Sequence, residues 1–310
     1  MRLRFVTSGL RTTTQDAGRP EYTHIGVPIG GALDKAAMRY ANSLVGNALQ
    51  TPVLELTMTG PRLICESAGK VALAGAQFTA RVNNQLVDSR QAIALTAGDE
   101  LSFESPTTGY RGYLAVEGAW QVKTWLGSAS ALRIGSYELL ASAVWRAKDV
   151  LETRSAGVTP WPAIVLPPTP SNAIIRAYRG PEYDRLEPSA VAQLIERPIS
   201  VVAPSNRIGL RTNTALSLRH SAHATEMVSS GVQPGTVQVT HDGQAIILLA
   251  DAQTIGGYPR VLQCTSRSID DLAQLRVGDQ FSLTVLDYPN PLTQKGAEPR
   301  MVLSRRLEQC

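Results

Sequence analysis

Three cysteines in 310 residues (Cys65, Cys264 and Cys310), with no CxxC spacing, exclude a disulfide framework and a cysteine-based zinc site. Cys65 and Cys264 lie inside apolar runs and read as small core residues. No apolar run approaches membrane-spanning length, and the opening MRLRFVTSGL holds too short a one for a signal peptide. The expectation is a reduced, cytoplasmic protein with no membrane association. Lysine is scarce, at Lys35, Lys70, Lys123, Lys148 and Lys295 only, and arginine supplies the rest of the basic charge. The formal net charge of +4 is spread along the chain. With no basic run and no interleaved aromatics, nucleic-acid binding is not expected. Neither GxxxxGK[ST] nor GxSxG occurs, which removes a P-loop and a nucleophile elbow.

What is present is a globular composition, 43% apolar and 18% charged, long enough for two domains. Short apolar runs separated by Gly, Pro and polar clusters predict a mainly β protein, barrel or sandwich, with a few short helices. VALAGAQFTARV (71–82), YLAVEGAW (113–120) and QFSLTVLDY (280–288) are examples. Apolar periodicity predicts one helix within 33–47, capped by Asp34 and stopped by Gly46, and a second over 188–196. Proline-rich GVTPWPAIVLPPTPSN (157–172) reads as a semi-rigid linker. It divides residues 1–156 from 173–290, with a polar tail at 291–310. LTAGDELSF (95–103) is echoed by LRVGDQFSL (275–283), and more weakly by AKDVLE (147–152), which lacks the glycine. The echo favours two related β domains over one large sheet.

The polar clusters that could carry chemistry are few. DAQTIGGYPR (251–260) crowds Asp251, Gln253, Thr254 and Tyr258 around Gly256 and Gly257. Adjacent glycines between strands imply either left-handed backbone angles or close backbone approach. SNRIGLR (205–211) holds Arg207 and Arg211 in a glycine-bearing turn, a pair suited to gripping an anion. TTTQDAGR (12–19) gathers Gln15, Asp16 and Arg19, which either orient a polar substrate or brace one another. In LELTMTGP, Glu55 and Thr57 share one face of a strand, where a carboxylate is a general base if buried near substrate and inert if exposed. Asn42 lies inside the first helix and must find partners for its amide. His220, His223 and Glu226 have metal-ligand spacing but no amphipathic helix to carry it, so no metal site is expected.

Taken in order, TTTQDAGRPEYTHIGVPIGGALDKAAMRYANSLVGN (12–47), LELTMTGPRL (54–63), SNRIGLR and the 251–260 turn resemble the biotin-dependent carboxyltransferase family. That family includes the C-type subunit of bacterial 5-oxoprolinase, the second carboxyltransferase segment of urea carboxylase, and KipA-type regulators. The resemblance runs from about Gly9 to about Leu286 and implies two cyclophilin-like β-barrel domains in tandem. It implies a C-type subunit of an ATP-dependent 5-oxoprolinase, working with a KipI-like B subunit and an A subunit on a small anionic substrate. ATP would act in the complex, at a site the sequence does not locate. The resemblance also leaves room for a carboxyltransferase acting on urea or a similar amide, or for a non-catalytic regulator of a KipI-like kinase inhibitor. Biotin enters only under the carboxyltransferase alternative and would come from another chain, since no Ala-Met-Lys-Met sequence is present. The implied catalytic residues are Asp16, Arg207, Arg211 and Asp251. The implied substrate-binding residues are Gln15, Arg19, Asn42, Glu55, Gln238, Gln253, Thr254, Gly256, Gly257 and Tyr258. Departures from the family pattern are Asn206 in place of Asp, Thr240 in place of Pro, and a glycine-poor 130–152 segment.

Overall fold

Alternating burial sorts the first half of the chain into two sheets that share a core. The computed structural model describes residues 1–89, 91–134, 137–157, 159–162, 172–219 and 227–287. In Arg2–Thr7, Leu3 and Phe5 turn inward while Arg2 and Arg4 face solvent. That strand lies inside a seven-stranded sheet, between Val150–Arg154 and Arg62–Ser67. A five-stranded sheet runs in the order Arg11–Gln15, Val53–Thr57, Arg111–Val116, Gly69–Gly75, Ile93–Leu95. Leu54, Leu56, Leu63, Leu101, Leu114 and Leu151 fill the space between the sheets, where Phe5 stacks on Trp145 with ring centroids 4.9 Å apart.

Helix α1 (Lys35–Leu44) covers the other face of the five-stranded sheet with Ala37, Met38 and Ala41. Asp34 caps it, accepting from Ala37 N at 2.8 Å, as the sequence implies. Because α1 covers that face, Val53–Glu55 is buried on both sides and shows no clean alternation.

The second half closes into a barrel of seven strands, from Ala173–Arg179 to Gln280–Leu286, whose first and last strands pair in parallel. Helix α2 (Pro188–Glu196) has the predicted bounds. Helix α3 (Ser266–Leu272), capped by Thr265, has no counterpart among the sequence expectations, because seven residues are too short to display a helical stripe. The molecule is thus mainly β with few short helices, and no described helix is long and apolar enough to cross a membrane.

The sequence echo is one turn built three times. Asp99 Oδ2 accepts from Thr96 N, Asp279 Oδ2 from Arg276 N, and Asp149 Oδ2 from Arg146 N, each at 2.7 Å. The preceding residue is left-handed in all three, at φ +96° for Gly98, +98° for Gly278 and +78° for Lys148. Lys148 therefore takes the glycine's conformation without its freedom.

The two halves are joined by more than the linker. The linker's start is tied back to the end of α1, with Thr159 N donating to Gly46 O and Trp161 Nε1 to Asn47 O; residues 163–171 lie outside the described set. The segment before α1 docks into the barrel of the second half, where Gly30 N donates to Ala250 O and Leu33 joins the barrel's own core. Lys35 N donates to Asp270 on α3. Gln274 Nε2 donates to Asp34, and Arg276 donates to the carbonyls of Gly109 and Pro106.

Candidate functional site

The chemistry-bearing residues converge on this seam, and Arg207 is at its centre. Asn206 Oδ1 accepts from Ile208 N and Gly209 N, closing the turn that presents Arg207; the amide does here what an aspartate would. The guanidinium grips Asp251 with both Nε and Nη2 at 2.9 Å. Its Nη1 donates to Glu55 Oε1 at 2.6 Å, and Nη2 reaches Gly31 O at 2.6 Å and Gln15 Oε1 at 3.5 Å. Asp251 belongs to the second half, whereas Glu55, Gly31 and Gln15 belong to the first. One side chain, 12% exposed, therefore links both halves through charge-assisted bonds.

Electrostatics fixes the protonation of this cluster. Burial would raise the Glu55 pKa, but Arg207 and Arg111, with hydrogen bonds from Arg207 and Leu33 N, outweigh it and hold the carboxyl below its ordinary value. Burial would likewise lower Arg207, and Asp251 and Glu55 reverse that and raise it. Burial first, then the Glu55 and Asp34 charges, push the Tyr113 hydroxyl well above its ordinary range. Glu55 is thus a fixed anion and a poor proton acceptor, which argues against general-base work in this arrangement.

Asp16 and Arg19 do not brace one another directly; both hold the 125–130 loop. Asp16 accepts from Ser128 Oγ at 2.7 Å, Ala129 N at 2.7 Å, Ser130 Oγ at 2.5 Å and Gly18 N at 2.8 Å. Arg19 Nη2 donates to Ser128 Oγ and Ser130 O, and its guanidinium lies 5.3 Å from the Trp125 ring centroid. Its Nη1 is buried without a hydrogen-bond partner; Arg111 Nε likewise has no hydrogen-bond partner but lies 3.8 Å from Glu55 Oε1. Burial lowers the Arg19 pKa, with Asp16 and Asp251 opposing. A β-carbon built on Gly30 would stand 2.9 Å from Arg19 Nη1. Gly30 also has φ +65°, a backbone angle that favours glycine.

The 251–260 turn is divided. Asp251 is drawn into the Arg207 cluster, while Gln253 is exposed. Thr254 O accepts from Val232 N, and Ile255–Gly256 pairs with Ser230–Gly231. Neither Gly256 nor Gly257 has a positive φ. Close approach is the reason for Gly256, whose β-carbon would meet Gln238 Nε2 at 2.6 Å. That amide donates to Tyr258 O.

Arg211 and Asn42 also stand apart from the cluster. Arg211 turns to Gln244 Oε1 at 2.8 Å and does not join Arg207. Asn42 donates to Thr51 O and accepts from Asn47 Nδ2, fixing the turn after α1. His220, His223 and Glu226 lie outside the described residues. Sequence reasoning passed over Gly30, Gly31, Arg111 and Gln274. The glycine pair in PIGG carried a signal; Arg111 and Gln274 sit in ordinary surroundings and gain meaning only across the seam.

Two β halves fused through a polar seam match known proteins. The chain belongs to the family described as "Carboxyltransferase domain, subdomain A and B", whose model matches residues 25–285. It is 34% identical to the 5-oxoprolinase C subunit of Escherichia coli over 89% of this chain and 88% of that one. The Haemophilus influenzae protein of the same name is 31% identical, covering 86% of each. Urea amidolyase of Lachancea kluyveri is 27% identical over 91% of this chain but only 17% of its own length. The fold is shared with Kluyveromyces lactis urea amidolyase (TM-score 0.84, 24% identity), covering 92% of this chain and 19% of that one.

Proposed function

We propose that this chain is the C-type subunit of an ATP-dependent 5-oxoprolinase, cytoplasmic and active in complex with an A subunit and a KipI-like B subunit. The observation that carries this reading is the end-to-end match to proteins of that name, 88% of the Escherichia coli chain being covered. The urea amidolyases, by contrast, contain this unit as a small fraction of a larger enzyme.

The net reaction opens the 5-oxoproline lactam to glutamate with ATP hydrolysis. An unstrained amide carbonyl is a poor electrophile, and ATP supplies its activation. A buried guanidinium nitrogen without a hydrogen-bond partner, Arg19 Nη1, suits a small anion such as the substrate carboxylate. In this reading the nucleotide acts in the assembled complex. Arg207 acts as a positioning residue. It holds Asp251 and the Gly31 carbonyl in register, so that Asp251 and Gln15 orient the substrate beside Arg19. Pre-set geometry of this kind lowers the barrier because nothing need reorganise as charge develops.

The fungal urea amidolyase relatives support a second reading, carboxyl transfer from carboxybiotin carried by another chain to urea or a similar amide. Reconstitution with the A and B partners separates the two. The first reading requires glutamate formation and ATP hydrolysis that depend on this chain and resist avidin. Turnover that avidin abolishes would transfer the assignment to the second, and an assembled complex without turnover would leave a regulatory role.

A further inference from the structure

Beside the seam lies a cleft of about 510 Å³ lined by Val122, Lys123, Thr124, Trp125, Leu139 and Leu140. Its size is that of a small-molecule site, and its walls have the composition of one, mostly apolar with a few polar groups. We propose that this cleft binds a planar aromatic or heteroaromatic molecule bearing a carboxylate or phosphate. The indole of Trp125 offers a face for a flat ring, and Val122, Leu139 and Leu140 supply apolar walls. Lys123 supplies the cation for the anionic group and Thr124 a hydroxyl donor. Lys123 and Thr124 are both exposed, and neither side chain has a hydrogen-bond or ion-pair partner among the described residues.

A left-handed leucine stands at each wall. Trp125 and Ser128 exchange backbone hydrogen bonds, Trp125 N to Ser128 O at 2.8 Å and Ser128 N to Trp125 O at 3.1 Å. That tight turn places Leu126 at φ +49°. Across the cleft, Leu139 N donates to Leu132 O, and Leu140 sits at φ +71°. Two leucines in the left-handed region at one site are costly for their backbone, and such outliers cluster at ligand sites. The Leu139–Leu140 wall comes from the 130–152 segment, whose shortage of glycine set it apart in the sequence. Trp125 also carries the Arg19 guanidinium on its ring, and Asp16 clamps Ser128 three residues on.

The test uses the full chain without its partners, so its outcome is independent of glutamate formation by the complex. Calorimetric titration with adenosine monophosphate and with indole-3-acetate probes the two sources of the anion; adenosine and inorganic phosphate serve as ring-only and charge-only controls. At least one charged aromatic probe is expected to bind saturably, about tenfold or more tighter than its controls, a difference that separates paired from single contacts. Lys123→Gln is expected to weaken that probe by about fivefold to tenfold, the range of one charge-assisted contact, while leaving adenosine unchanged. Leu140→Asn keeps a residue that tolerates the left-handed backbone and removes the apolar wall; it is expected to weaken the ring contribution. Binding should also shift the Trp125 indole N–H resonance. No saturable binding of either charged probe up to about 10 mM, a concentration beyond any specific contact, overturns the proposal. So does binding that Lys123→Gln and Leu140→Asn both leave unchanged.

Discussion

Arg207 Nη1 and Glu55 Oε1 meet at 2.6 Å across 152 residues of sequence, with Glu55 1% exposed. The pair is one of several contacts joining the two halves, and the same guanidinium holds Asp251 in a two-point grip. Removing one member of such a cluster leaves the others charged and buried. Arg207→Ala is therefore expected to cost about 3–5 kcal/mol of stability. Arg211→Ala, which loses a partner only at Gln244, is expected to cost no more than about 1 kcal/mol. Denaturant unfolding of the two variants measures the contrast, and equal losses would show that Arg207 is not a strong link between the halves.

The seam should weaken as pH rises from about 4 towards neutrality. Asp34 is raised to about 7, chiefly by burial and then by the Asp270 charge, and Asp270 to about 6, chiefly by burial. Asp270 is placed against α1 by the Lys35 amide, with Arg267 and Asp271 also acting on it. Both folded values lie above the ordinary value of 3.8, so the protonated forms favour the folded state. That stabilisation is complete below about pH 4, falls as pH climbs, and is lost above about 6 to 7, on the order of 3 kcal/mol for Asp270. Melting temperature should therefore fall between pH 5 and 8, and Asp270→Asn should flatten the slope. A wild-type profile with no fall across that interval would contradict the reading.

Gly26 and Gly31 separate two reasons for a glycine. Their φ values are nearly equal, +85° and +86°, but a β-carbon on Gly26 meets nothing within 4 Å. On Gly31 it would stand 2.8 Å from both Asp16 O and Gly18 N. Gly26→Ala should cost about 1 kcal/mol for its backbone angle alone. Gly31→Ala must also move the main chain, displacing the carbonyl that Arg207 holds, and should cost about 2 kcal/mol more. Thermal melts of the two variants make the comparison, and indistinguishable melts would contradict it.

How much of this could be read from the sequence depends on whether the determinant was local. The Asp34 cap, α2, the Gly-Asp turns and the mainly β pattern are set by residues within a few positions of one another, and they were legible. The polar residues of TTTQDAGR, SNRIGLR and the 251–260 turn were also legible as candidates, and Asp16, Arg19, Arg207 and Asp251 do gather near one seam. What could not be read is pairing between distant segments. Glu55 looked like one face of a simple strand because nothing near it announces that α1 covers that face or that Arg207 arrives from position 207. Arg207 and Arg211 looked like a pair because they are four residues apart. The turn at Asn206–Gly209 points the first into the seam, and the strand Gly209–Thr212 carries the second to Gln244. The echo at 147–152 looked defective for lack of glycine, and Lys148 shows that the hydrogen bonds of the turn outweigh the cost of the backbone angle.

Under the proposed function, the seam positioned by Arg207 is where this chain serves catalysis. The most direct measurement is the rate of glutamate formation by the reconstituted complex carrying Arg207→Lys or Arg211→Lys, with assembly verified for each. Lysine keeps the charge but cannot reach Asp251, Glu55 and Gly31 together. Misplacement of a positioning residue should then lower turnover by about 100-fold for Arg207→Lys, while Arg211→Lys stays within about threefold of the parent. An assembled Arg207→Lys complex with near-parental turnover, or an Arg211→Lys complex equally impaired, would contradict the account.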